Sequence, residues 1–164
     1  MGVGAMIAAE AETWIGTPFM WQARCKGAGA DCKGLIAGVA RACGRAEADS
    51  LEALAGDYGA KVPVLRLKAG LAALFDRAEQ IEAGYVLLLI VGGAPQHLAI
   101  AAPTDAQPSR TIQALHCGPR QTVAIRQPRA TVHSIWRWRE ESGSAAPTPP
   151  PSQGDGPPPR AGEE

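Results

Sequence analysis

Residues 29–36 read GADCKGLI, with an aspartate and Cys32 standing between a glycine-containing approach and an apolar run. Asp31 suits a helix N-cap, because its carboxylate can accept hydrogen bonds from the first unpaired backbone N–H groups. Those N–H groups and the helix macrodipole favour negative charge, so a sulfur in the first turn is stabilised as a thiolate. Cysteine pKa values at such positions fall to about 3.5–7.5. The same N–H groups can bind the oxyanion of a tetrahedral intermediate. The competing reading is a small buried hydrophobe, the commonest role of a free cysteine, and position alone supports the two equally.

A nucleophilic thiol needs a base within hydrogen-bond reach, and the base needs an orienting group. The chain has three histidines: His97, His116 and His133. His97 opens a strand after the turn GGAPQ, where a side chain can be accessible. His116 lies near the end of the next strand, and His133 near the start of the last, with no obvious polar companion. The four cysteines, Cys25, Cys32, Cys43 and Cys117, form no CxxC pair and no zinc-ribbon pattern. No metal and no cofactor is expected, and the thiols are read as reduced.

These residues must be positioned by elements that the sequence pattern outlines. Residues 5–15 suit a helix ended by Gly16 and Pro18, and residues 17–31 read as loop. Cys32, Leu35, Ile36, Val39, Ala40 and Cys43 follow i, i+3, i+4 spacing and share one helix face, with Gly44 as the C′ residue. Further helical stretches are expected near 50–56 and 66–78. Strands are expected at 85–91, 97–102, 111–117, 121–126 and 131–139, separated by short Pro/Gly loops. Helices first and strands afterwards imply an α+β domain with a mostly antiparallel sheet. The composition changes near residue 141. The segment 141–164 carries half of the chain's 14 prolines and no large apolar side chain, so it is expected to be a disordered or polyproline-II tail behind a domain over 1–140.

Bulk properties exclude several function classes. The 164 residues carry a formal net charge of zero, which argues against a nucleic-acid or anionic-membrane partner. No apolar run is long enough to span a bilayer, so no membrane insertion is expected. The N-terminal stretch MGVGAMIAAEAETW lacks a basic region and contains Glu10 and Glu12. It reads as a mature helix rather than a signal peptide, consistent with synthesis in the cytoplasm. The alternating IWRWR segment reads as a strand with Trp136 and Trp138 on a core face rather than as a nucleic-acid surface.

The segment WIGTPFMWQARCKGAGADCKGLI resembles the N-terminal signature of NlpC/P60 cysteine peptidases: a helix, Gly-Thr-Pro-aromatic, a glycine loop, then Asp-Cys-Ser-Gly-Leu. HLAI resembles the family's His-Val-Gly-Ile strand, and TIQAL the strand after it. WQA, the length of the middle segment and the ending SIWRWR are most similar to the branch found in phage tails and gene transfer agents. The resemblance covers roughly 5–140 in order. It implies a papain-like core with the nucleophile-bearing helix on an antiparallel sheet. It also implies cysteine endopeptidase activity on peptidoglycan stem peptides, typically between D-γ-glutamate and a diamino acid. Partners would be phage-like tail or baseplate proteins, and the chain would end in a particle tail. By motif, Cys32 matches the nucleophile, His97 the base and Gln113 the third polar residue. Gln113 and His116 point to opposite faces of their strand, so only one can orient His97, through its Nδ1–H, and motif position favours Gln113.

Three positions depart from the family pattern. Lys33 replaces the usual Ser and is expected at the cleft rim, where it could steer a carboxylate or simply be solvated. Phe19 replaces a Tyr, and Gly84-Tyr85 replaces Gly-Asp. Phe19, Trp21, Lys33 and His116 are the candidate substrate contacts, although an aromatic such as Trp21 is more often core. The departures also motivate an alternative, a catalytically impaired tail-tip protein that binds peptidoglycan. A remoter option is a thiol acyltransferase or amidase using the same dyad.

Overall fold

The computed structural model describes residues 1–56, 63–103, 110–115, 122–126 and 130–140. In chain order these form α1 (Val3–Glu12), β1 (Arg24–Cys25), β2 (Gly29–Ala30), α2 (Cys32–Ala42), α3 (Ala48–Gly56), α4 (Val64–Leu74), β3 (Phe75–Ala78), β4 (Val86–Val91), β5 (Ala94–Ala101), β6 (Thr111–Ala114), β7 (Val123–Arg126) and β8 (Val132–Trp138). The fold is α+β. Strands β3 to β8 form one antiparallel sheet in the order β3-β8-β4-β5-β6-β7, and β1 and β2 form a separate small hairpin. The expected tail at 141–164 lies outside the described residues.

Helix α2 sits at the centre. Leu35, Ile36 and Val39 join Leu98, Ile100 and Ile112 of the sheet in the main core. The helix is buried on its other side as well, from Cys32 through Ala40. Small residues permit this second contact. A β-carbon on Gly38 would lie 2.1 Å from the Trp14 ring, and one on Gly34 would lie 1.8 Å from the Ala23 carbonyl oxygen. Gly38 lets α1 approach, and Gly34 lets the loop before β1 lie against the first turn. The helix ends where Gly44 turns left-handed at φ 66. There the Arg45 N–H donates to the Ala40 carbonyl at 2.9 Å and the Gly44 N–H to the Arg41 carbonyl at 3.1 Å, the paired bonds of a Schellman stop.

The approach loop is pinned to α1. Lys26 Nζ lies 2.5 Å from Glu10 and 2.7 Å from the Thr13 hydroxyl, and Trp14 Nε1 donates to the same Glu10 at 3.1 Å. The expected loop at 17–31 therefore holds a short hairpin and fixed turns. One boundary differs more. The helical stretch expected to reach residue 78 stops at Leu74, and 75–78 becomes strand β3. Phe75 packs edge-on against Trp138 at 4.8 Å between ring centroids, and its strand pairs with β8. Pairing and aromatic burial outweigh the weak helical preference of these residues. Trp136 and Trp138 share the buried face of β8, with their indole N–H groups bonded to Ser134 Oγ and the Gly84 carbonyl, each at 2.9 Å. Among the described residues, no helix is long and apolar enough to cross a membrane.

The Gly38–Trp14 contact is open to a direct test. A helix-interior Gly→Ala change ordinarily gains up to about 1 kcal/mol. At this position overpacking against the indole costs about 1–3 kcal/mol. Gly38→Ala is expected to lower the urea midpoint, whereas a raised midpoint would show that the ring can move aside.

Candidate active site

The first turn of α2 is held from both sides by Asp31. Its Oδ1 accepts from the Gly34 N–H at 2.7 Å, closing the helix as an N-cap, and its Oδ2 accepts from the Gln22 N–H at 2.8 Å. Gln22 has a left-handed backbone, φ 61, a conformation that costs a residue with a β-carbon about 1 kcal/mol or more. The Asp31 bond offsets that cost and anchors the loop over the helix end. The backbone N–H of Asp31 bonds the Ala23 carbonyl at 3.2 Å, which is the carbonyl that Gly34 leaves room for. Asp31 is fully buried. The Asp-Cys-x-Gly spacing thus has a mechanical reading: the acid ties loop to helix, and the glycine lets the loop in.

Cys32 is the first residue of α2 and is 8 % exposed. Its sulfur receives hydrogen bonds from His97 and from the Leu98 backbone N–H. Strands β5 and β6 are paired at Ile100 and Ala101, and the sulfur meets β5 beyond those pairs. His97 is aimed by an irregularity. β4 pairs Leu89 with His97 and Ile90 with Pro95, so Gln96 is an extra, bulged residue immediately before the histidine. Such bulges re-aim side chains beside functional sites. The strand begins earlier than expected, at Ala94 after a Gly92-Gly93 turn with φ 60 and 81, so His97 lies inside β5 rather than at its start.

The register between β5 and β6 decides the third residue. Ala101 opposes Thr111 and Ile100 opposes Ile112, so His97, Ala99, Ala101, Thr111 and Gln113 share one face. His97 Nε2–H donates to Gln113 Oε1 at 3.0 Å, and Gln113 Nε2 donates to Thr111 Oγ1 at 2.6 Å. The amide is oriented from behind by the hydroxyl. The expected Nδ1–H contact is corrected: Nε2 faces the amide, which leaves Nδ1 as the ring nitrogen for the sulfur. Ala99, small and buried, is the next residue after His97 on this face of β5.

The electrostatics follow from this packing. Burial alone would raise the Cys32 thiol, but the hydrogen bond and charge of His97, the charge of Lys33 and the Leu98 N–H together bring it below its ordinary value. Burial likewise opposes charge on His97, yet the Cys32 contact and Gln113 raise its pKa, with Lys33 acting against them. Cys43, at the far end of the same helix, shows burial winning: its thiol is pushed up. The arrangement at Cys32 can therefore hold a thiolate–imidazolium pair, a nucleophile and an acid in one hydrogen bond.

Cys32, His97 and Gln113 come together. Phe19 is half-buried against the main core, stacks edge-on with Trp21 at 4.9 Å between ring centroids, and bridges to Ala30 beside the cap. Trp21 is 47 % exposed, a rim residue rather than core. Lys33 is not solvated as an arbitrary lysine would be; it is 5 % exposed. His116 and Cys117 lie outside the described residues. His133 stands apart on β8, where its Nδ1 is 3.1 Å from Ser134 Oγ. Thr111 was not legible as part of the site, although a hydroxyl two residues before Gln113 shares its strand face. The Leu98 N–H is a backbone group that no residue type announces.

No family model and no curated protein matches this sequence. Among solved structures, the chain is similar to one described as the NlpC/p60 domain of peptidoglycan hydrolase SagA. The match has 28 % identity, covers 77 % of this chain and 90 % of that one, and has a TM-score of 0.49.

Because the thiol is lowered and the imidazole raised, the ion pair should exist across a window that opens below the ordinary thiol value of about 8.5 and closes above the ordinary imidazole value of about 6.5. Iodoacetamide should capture Cys32 rapidly at pH 6 and lose that reactivity in His97→Ala; an unshifted thiol profile in the wild type would contradict the assignment. Thr111→Val frees the Gln113 amide, one of the groups that raise His97, and should lower the pH at which the His97 imidazolium signal is lost by NMR. An unchanged imidazolium titration would reduce Thr111 to packing.

Proposed function

We propose that this chain is an NlpC/P60-type cysteine endopeptidase of bacterial cell walls, cutting peptidoglycan stem peptides at the bond between D-γ-glutamate and a diamino acid, within a phage-like tail or gene transfer agent. The observation that carries the proposal is the convergence of Cys32, His97 and Gln113 from a helix and two strands, in the order of the family motifs. The reading of 141–164 as a proline-rich extension of the 1–140 domain belongs to the same proposal.

The reaction follows from the geometry. His97 Nδ1 takes the proton of Cys32, and the Gln113 oxygen holds Nε2–H so that the ring can carry charge. The thiolate attacks the scissile carbonyl, forming a carbon–sulfur bond. The backbone N–H groups of Cys32 and Lys33, unengaged at the start of α2 among the described residues, face the helix end where the oxyanion develops. The imidazolium gives its proton to the leaving amine as the carbon–nitrogen bond breaks. Water, losing a proton to the neutral imidazole, then cleaves the thioester and restores the thiol. The assembled hydrogen bonds favour this reading over that of a catalytically impaired binding protein.

Purified sacculi provide the test. The wild type should release soluble fragments with a new free amine on the diamino acid, and Cys32→Ala should release none. General-base loss in His97→Ala should cost about 10²–10⁴-fold in rate. Equal release by wild type and Cys32→Ala would end the catalytic proposal, while release with the new amine on another residue would move the cleaved bond.

A further inference from the structure

The β4–β5 hairpin reaches His97 through two registers that disagree by one residue. Deeper in the sheet, Leu87, Leu88 and Leu89 oppose Ala99, Leu98 and His97. Burial fixes that register, because Leu88 and Leu98 belong to the main core while Leu87, Leu89 and Ala99 form a second cluster. At the tip, the Gly92-Gly93 turn, with φ 60 and 81, closes Val91 against Ala94 and sets Ile90 against Pro95. Two-residue turns with positive φ favour such closure. Gln96 is the residue left over between the two registers. Were the tip register to continue inward, His97 would oppose Leu88 and its ring would pass to the core face.

The ladder holds this point weakly. Ile90 donates its N–H to the Thr131 carbonyl at 2.9 Å, away from β5, and Pro95 has no N–H to give. Neither amide of that opposed pair therefore donates between β4 and β5. The pairs that join β5 to β6 lie further on, at Ile100 and Ala101. A side chain spans the gap instead. Gln96 Nε2 donates to the Val91 carbonyl at 2.7 Å, tying the extra residue of β5 to the last residue of β4.

We propose that Gln96 is a positioning residue for His97: its amide, bonded to Val91, holds the bulge in the form that aims the imidazole at Cys32. The residue acts through the histidine rather than on the sulfur. The proposal rests on the Cys32–His97 pair of the peptidase reading, but its test needs no peptidoglycan.

Gln96→Met keeps the length of the side chain and removes the donor. Iodoacetamide capture of Cys32 is followed by mass spectrometry across pH, with the exposed Cys25 as the reference in the same sample. In Gln96→Met the midpoint of Cys32 capture should rise by about one pH unit, which lowers the thiolate at pH 6 roughly tenfold. The His97 imidazolium should titrate at lower pH by NMR, because the Cys32 contact that raises it is weakened. Gln96→Ala is measured in parallel in case the methionine variant does not fold, and should move both profiles in the same direction. A packing role would lower the urea midpoint and leave both pH profiles in place, so unchanged profiles in a folded variant overturn the proposal. Shifted profiles without release from sacculi by the wild type refute the peptidase reading alone. Release from sacculi with unchanged variant profiles refutes the positioning role alone.

Discussion

Burial pushes a thiol towards its neutral form, and the structure around Cys32 is organised to oppose that push. The His97 hydrogen bond, a backbone N–H and the neighbouring ammonium reverse the outcome. The same helix provides the contrast. Among the described residues no imidazole acts on Cys43, and burial raises its thiol. Reactivity here is a property of the surroundings rather than of the residue type.

Holding two groups on different elements in register requires stiff supports. Helix α2 is clasped between sheet and loop because its second face is made of small residues that admit Trp14 and the Ala23 carbonyl. Asp31 then fastens the loop, accepting one backbone hydrogen bond on each oxygen. On the sheet side, the bulge at Gln96 turns His97, and the Thr111–Gln113 pair fixes which ring nitrogen faces the sulfur. Each support acts at one remove from the reacting atom, so a defect in any of them would show in the pH behaviour of the pair before it showed in the fold.

The surroundings of the dyad also shape what it can accept. Trp21 stands exposed on the loop over the helix end, and Lys33 brings a positive charge to the sulfur from within the same turn. Phe19 packs edge-on against Trp21 beside the cap.

Much of this was legible in the sequence, because local physics writes local signals. The period of the apolar residues marked α2, the aspartate marked its start, Gly44 marked its stop, and alternation marked the strands and the buried face of Trp136 and Trp138. Cys32, His97 and Gln113 were named from motif order. Tertiary structure decided the rest. The strand at 75–78 exists because β8 offers it partners, which no window around Phe75 contains. The choice of Nε2 for Gln113, the place of Thr111 and the Leu98 N–H on the sulfur depend on the β5–β6 register and on a one-residue bulge. Lys33 became a buried cation because the second face of its helix is covered. Sequence determined which groups could react; only the packing of distant segments, where a shift of one residue turns a side chain to the opposite face, decided which of them meet.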